Sequence, residues 1–86
     1  MNPEMNNHKQ SELIKNSLDE LRKQEPGMLF LGLTNSEVIK SSNSYLEFIA
    51  TFSSNVSNNI HEFTVEVRLE NDTWNYTFVE HFTNGI

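Results

Sequence analysis

From Phe63 onward apolar and polar side chains alternate. Phe63, Val65, Val67 and Leu69 are apolar, with Thr64, Glu66 and Arg68 between them. A period of two in β-branched and aromatic residues predicts a half-buried strand. A second arm repeats the pattern, with Trp74, Tyr76 and Phe78 set against Asn75 and Thr77. Asn71-Asp72 lies between the arms, and both residue types accept left-handed backbone angles, so a two-residue turn is expected there. That turn pairs Leu69 with Trp74, Val67 with Tyr76 and Val65 with Phe78. A slip of one residue would scatter the apolar groups over both faces. Continued without a break, the register sets His61 opposite Phe82 and Glu62 opposite His81, which predicts a cross-strand polar pair. The two imidazoles then point to opposite faces, which argues against a shared metal. Glu80 is the misfit, because it shares a face with Phe78 and Phe82. The expectation is that the sheet frays there and the carboxylate reaches water or a lysine.

Ahead of the hairpin, Leu13, Ile14, Leu18 and Leu21 recur at helical spacing and predict a helix from about His8 to Gln24. Asn7 is the expected cap, with Gln10 as its capping-box partner. Lys15–Asp19 and Asp19–Lys23 are spaced for ion pairs. Pro26-Gly27 ends the helix. Met28 to Leu33 reads as a short buried strand in which Gly32 marks a bulge or a close approach. Thr34-Asn35-Ser36 bounds that run, Glu37 to Ser41 leans to strand, and Ser41 to Ser44 turns. Tyr45 to Phe52 is a strand with Leu46, Phe48, Ala50 and Phe52 on one face. Residues 53–59 read as a loop.

The fold class expected is α+β: one N-terminal helix packed on a curved antiparallel sheet of four to five strands in meander order. Residues 1–7 are expected to be a flexible N-terminus and 8–86 a single domain. Cystatin-like and NTF2-like folds share this scheme. The arm Trp74–Phe82, WNYTFVEHF, resembles the closing strand of NTF2-like domains, which are longer and carry more helices. The resemblance is confined to that strand and implies a small-ligand pocket between helix and sheet.

Composition narrows the chemistry. At 86 residues the chain is small for a self-sufficient core. It has no cysteine, which excludes disulfides, thiolate metal sites and a cysteine nucleophile. Three glycines leave no room for a phosphate-binding loop, and no serine sits in a nucleophile elbow. Glu62 and Glu66 stand about 13 Å apart at a strand rise of about 3.3 Å per residue, too far to share acid–base work. No enzyme activity, cofactor or metal is expected. No apolar run reaches transmembrane length and no basic-then-apolar leader opens the chain. The expected location is therefore cytoplasmic, in the host cytoplasm if the gene is a phage's.

The formal net charge of −6 is uneven. Residues 41–86 hold six acids against Arg68 alone, whereas residues 1–40 nearly balance with six acids and five bases. An acidic strand-rich half repels nucleic acid and membrane and favours a basic partner. The candidate partner-binding residues are Glu62, Glu66 and Glu70 on one strand, with Glu47, Asp72 and Tyr45 beside them. The function expected is a small bacterial or phage protein that binds and inhibits a larger nucleic-acid-handling protein, as anti-CRISPR or immunity proteins do. The alternatives are a homo-oligomerising module, for which Tyr45, Ile49 and Val79 offer an outer apolar patch, and an NTF2-like ligand-binding domain.

Overall fold

A computed structural model describes residues 5–28, 31–54 and 59–84, with side chains as far as His81. Helix α1 (Asn7–Gln24) and a 3-10 turn (Pro26–Met28) precede strands β1 (Leu31–Ser42), β2 (Tyr45–Ser54), β3 (Ile60–Glu70) and β4 (Thr73–Asn84). The strands form one antiparallel sheet in the order β1-β2-β3-β4, open at both edges, with the helix packed on one face. This is the expected meander with four strands. Short connections make sequence neighbours into spatial neighbours.

The β3–β4 hairpin keeps the expected register from Glu70–Thr73 to Phe63–Glu80. Asn71 and Asp72 have φ of 52° and 63°, the left-handed pair that a two-residue turn with the strands' own twist requires. Beyond Phe63 the expectation fails. A bulge shifts the register, so Glu62 pairs with Phe82 and His61 with Thr83. The predicted Glu62–His81 pair is therefore absent, and the His81 ring hydrogen-bonds the Thr64 hydroxyl instead. The sheet does not fray at Glu80, which is exposed within a strand that continues to Asn84. His61 Nδ1 lies 2.6 Å from the Glu80 carboxylate, and the His61 ring stacks near Phe63.

Strand β1 differs more. Met28 belongs to the 3-10 turn, and Leu31 to Ser42 runs as one strand through Thr34-Asn35-Ser36. Register shifts fall between Leu33 and Asn35 and between Val38 and Lys40, which makes Thr34 and Ile39 the irregular positions. Gly32 pairs regularly with Ser53. A bulge lets a strand absorb an extra residue without reversing the faces of the rest. Of the expected 53–59 loop, Ser53 and Ser54 belong to β2, and 55–58 lie outside the described residues.

The core is the inner face of the two central strands. Leu46, Phe48, Ala50 and Phe52 of β2 are fully buried, with Phe63, Val65 and Val67 of β3 beside them. Fully burying each large side chain contributes about 1.5–3 kcal/mol. From α1, Leu13, Ser17 and Leu21 are buried at four-residue spacing, with Ile14 and Leu18 half-buried at the flanks. Ser17 was not part of the expected stripe. It is fully buried because its small side chain closes on the sheet while its hydroxyl donates to the Ile14 carbonyl.

The helix starts one residue earlier than expected. Asn6 is the cap and accepts from the Lys9 amide at 2.8 Å, while Met5 before it is buried in the core. Residues 1–4 of the expected flexible segment lie outside the described residues. Asp19 pairs with Arg22, and Lys23 with Glu20, in place of the two predicted i,i+4 pairs. Side-chain hydrogen bonds tie helix to sheet, with Gln10 Nε2 donating to Ser41 Oγ and Gln24 Nε2 to the Tyr76 carbonyl, each at 3.2 Å. Tyr76 Oη donates to the Leu13 carbonyl at 2.7 Å, and Arg22 Nη2 donates to the Leu31 carbonyl at 3.0 Å.

Candidate functional site

The face of the sheet away from α1 carries the predicted residues. Cross-strand pairing lines them up in rows: Lys40, Glu47, Glu66 and Thr77 in one, and Ser42, Tyr45, Arg68 and Asn75 in the next. Glu62 lies opposite Thr51, and Glu70 opposite Thr73 beside the Asn71–Asp72 turn. Glu62, Glu66 and Glu70 alternate along β3 because strand side chains repeat every second residue. They span about 26 Å at roughly 3.3 Å per residue. Glu70 and Asp72 are exposed, whereas Glu47, Glu62, Glu66 and Tyr45 are half-buried among their neighbours.

Four of these groups form a connected set. Tyr45 Oη donates to Glu47 Oε1 at 2.8 Å, and Arg68 Nη2 donates to Glu66 Oε2 at 2.8 Å. The Arg68 guanidinium also lies 5.5 Å from the centre of the Tyr45 ring. Solvent screens such surface contacts, so the set orders the face more than it stabilises the fold. Glu47 and Glu66 face one another directly, and like charges opposed in a sheet repel. Arg68 and the Tyr45 hydroxyl each take one of these carboxylates.

Burial pushes the Tyr45 hydroxyl up to about 12, helped by its hydrogen bond to Glu47. It therefore remains a proton donor through the physiological range. Arg68 is raised further by its bond to Glu66, so its charge persists. Arg68 is the only lysine or arginine after residue 40, and it is spent on a neighbour. Lys40 is the other cation in these rows, and the acids of the face outnumber the two bases, so what it offers a partner is negative.

The centre of the helix–sheet interface is packed with Leu13, Ser17, Leu21, Phe48 and Phe52. A groove of about 310 Å³ opens beside it, along the seam between α1 and β4. Trp74 and Tyr76 floor it, and Glu12, Asp19, Glu20 and Lys23 flank it. Lys9 Nζ sits 5.5 Å from the centre of the Trp74 ring and occupies its face. Of the outer apolar residues, Ile49 is half-buried, and Val79, 52% exposed, stands across Thr64 from it. Among the described residues no three acidic or histidine side chains cluster as metal ligands, and no helix is long and apolar enough to cross a membrane.

The sequence reading missed the groove and the His61–Glu80 pair. The misplaced Glu80 was a signal for the second, since a carboxylate on an apolar face needs a local donor. No family model, curated protein or solved structure matches the chain.

Proposed function

We propose that this protein acts by binding rather than catalysis, and that its outer sheet face docks into the basic cleft of a larger nucleic-acid-handling protein and blocks it. The observation that carries the reading is the acidic column of β3, Glu62, Glu66 and Glu70, reinforced by Glu47 and Asp72, on a face where Arg68 is paired with Glu66 and Lys40 stands at the β1 edge. A rigid sheet presents such charges without the ordering cost of a flexible tail. Electrostatic complementarity of this kind speeds encounter and selects a partner. The setting that suits it is the cytoplasm of a bacterial cell, with a phage or a bacterial gene as the source.

The test is affinity capture from a bacterial lysate at low salt, followed by competition on the recovered protein. The captured protein should lose its nucleic-acid binding when this chain is added, and the complex should weaken as salt rises. Substituting Glu62, Glu66 and Glu70 together with lysine should abolish binding while circular dichroism stays unchanged. Recovery of no nucleic-acid-handling partner, or unchanged affinity in the triple variant, would remove the proposal.

A further inference from the structure

The two edges of the sheet are built differently. Edge strand β1 is interrupted at Thr34 and Ile39 and carries Glu37 and Lys40. Bulges and charges are the usual guards against strand addition. Edge strand β4 pairs regularly from Thr73 to Glu80, and Thr73 to Val79 contains no charge, proline or glycine. In a two-residue hairpin the residues flanking the turn exchange hydrogen bonds, and alternate pairs follow. Thr73, Asn75, Thr77 and Val79 thus bond to β3, and the backbone groups of Trp74, Tyr76 and Phe78 point to the open edge. Gln24 Nε2 donates to the Tyr76 carbonyl at 3.2 Å, as that geometry requires. The groove between α1 and β4 otherwise holds the helix back from this edge.

We infer that β4 pairs antiparallel with β4 of a second copy, about a twofold axis near Thr77, to give a continuous eight-stranded sheet. This goes beyond the partner-binding reading and does not depend on it. A chain of net charge −6 repels its own copy, yet the acids of the outer face lie on β1 to β3 and the β4 turn, and in the paired segment Trp74–Glu80 the one charge is Glu80 at its end, opposite Trp74 of the second copy and 2.6 Å from its own His61. With the axis at Thr77, Tyr76 faces the second Phe78 on the inner side, an aromatic cross-strand pair. A twofold axis normal to the sheet keeps both helices on one side and both acidic faces on the other.

Sedimentation velocity over a concentration series, with this protein alone, tests the inference. The wild type should shift from monomer to dimer as concentration rises. Thr77→Lys places two ammonium groups across the axis and should weaken association roughly tenfold or more. Thr77 is exposed and lies opposite Glu66, so its circular dichroism should be unchanged. Should Thr77→Lys fail to fold, Val79→Lys at the 52% exposed position takes its place, with the same expected loss. Asn35→Lys on β1 should leave the dimer intact. A wild type that stays monomeric at every concentration, or a dimer that survives the β4 lysine and is lost with Asn35→Lys, would overturn the inference.

Discussion

Replacing Tyr76 by phenylalanine removes one oxygen and separates two roles of that side chain. The ring packs against the core beside Phe78, with centroids 6.2 Å apart, and should stay in place. The hydroxyl that donates to the Leu13 carbonyl at 2.7 Å is lost. An intramolecular hydrogen bond contributes about 1 kcal/mol net. In a domain of this size that corresponds to a drop in Tm of about 4–8 °C. A second effect appears at high pH. Burial, with Glu20 and Glu12 adding repulsion, raises the Tyr76 hydroxyl well above its ordinary value of 10.0. Above that value the unfolded chain gives up a proton that the folded chain keeps. Stability contributed by the neutral hydroxyl is therefore intact below pH 10 and declines as pH climbs past it. For one fully shielded group the slope is about 1.4 kcal/mol per pH unit, and the half-buried position of Tyr76 reduces it. Urea titrations at pH 7 and at steps above pH 10 measure both effects. Tyr76→Phe should be less stable at pH 7 and flatter above pH 10 than the wild type. Equal stability at pH 7 together with an equal alkaline slope would show that the hydroxyl does not join helix to sheet.

Two further outcomes follow from the ends of the elements. Asp72 holds a φ of 63°, so Asp72→Gly should raise stability by up to about 1 kcal/mol, and Asp72→Val should lower it by about 1–2 kcal/mol, read by thermal melts. Asn6→Ala removes the acceptor for the Lys9 amide and should cost about 0.5–2 kcal/mol in urea titration, with a small loss of helical signal.

The sheet was legible where two signals agreed. Between Phe63 and Phe78, side-chain alternation and turn chemistry select the same register, and the structure has it. Leu46 to Phe52 was legible because four apolar residues on one face can only be a core strand. Beyond Phe63 alternation continues in the letters, but the bulge inserts a residue that periodicity cannot register. Strand β1 defeats the pattern for the same reason, since two irregular positions break the period and Ser36 and Val38 face inward where the helix does not cover them. Ser17 was invisible to a search for apolar residues, because a serine back-bonded to its own helix can be buried without a partner across the interface. The acidic column was readable from spacing. The knot of Tyr45, Glu47, Glu66 and Arg68 was not, because it depends on which rows of β2 and β3 meet.

The order of elements sets a timetable for synthesis. Helix α1 is translated before every strand that covers it, and Tyr76, which latches its middle, comes more than fifty residues after Gln24. At roughly 5–20 residues per second the ribosome needs about 3–10 s to supply that latch. An isolated helix of 18 residues is marginal in water, so Leu13 and Leu21 depend on strands made later for their cover. The sheet can meanwhile zip up one neighbour at a time, and the helix, made early, is the piece that docks late.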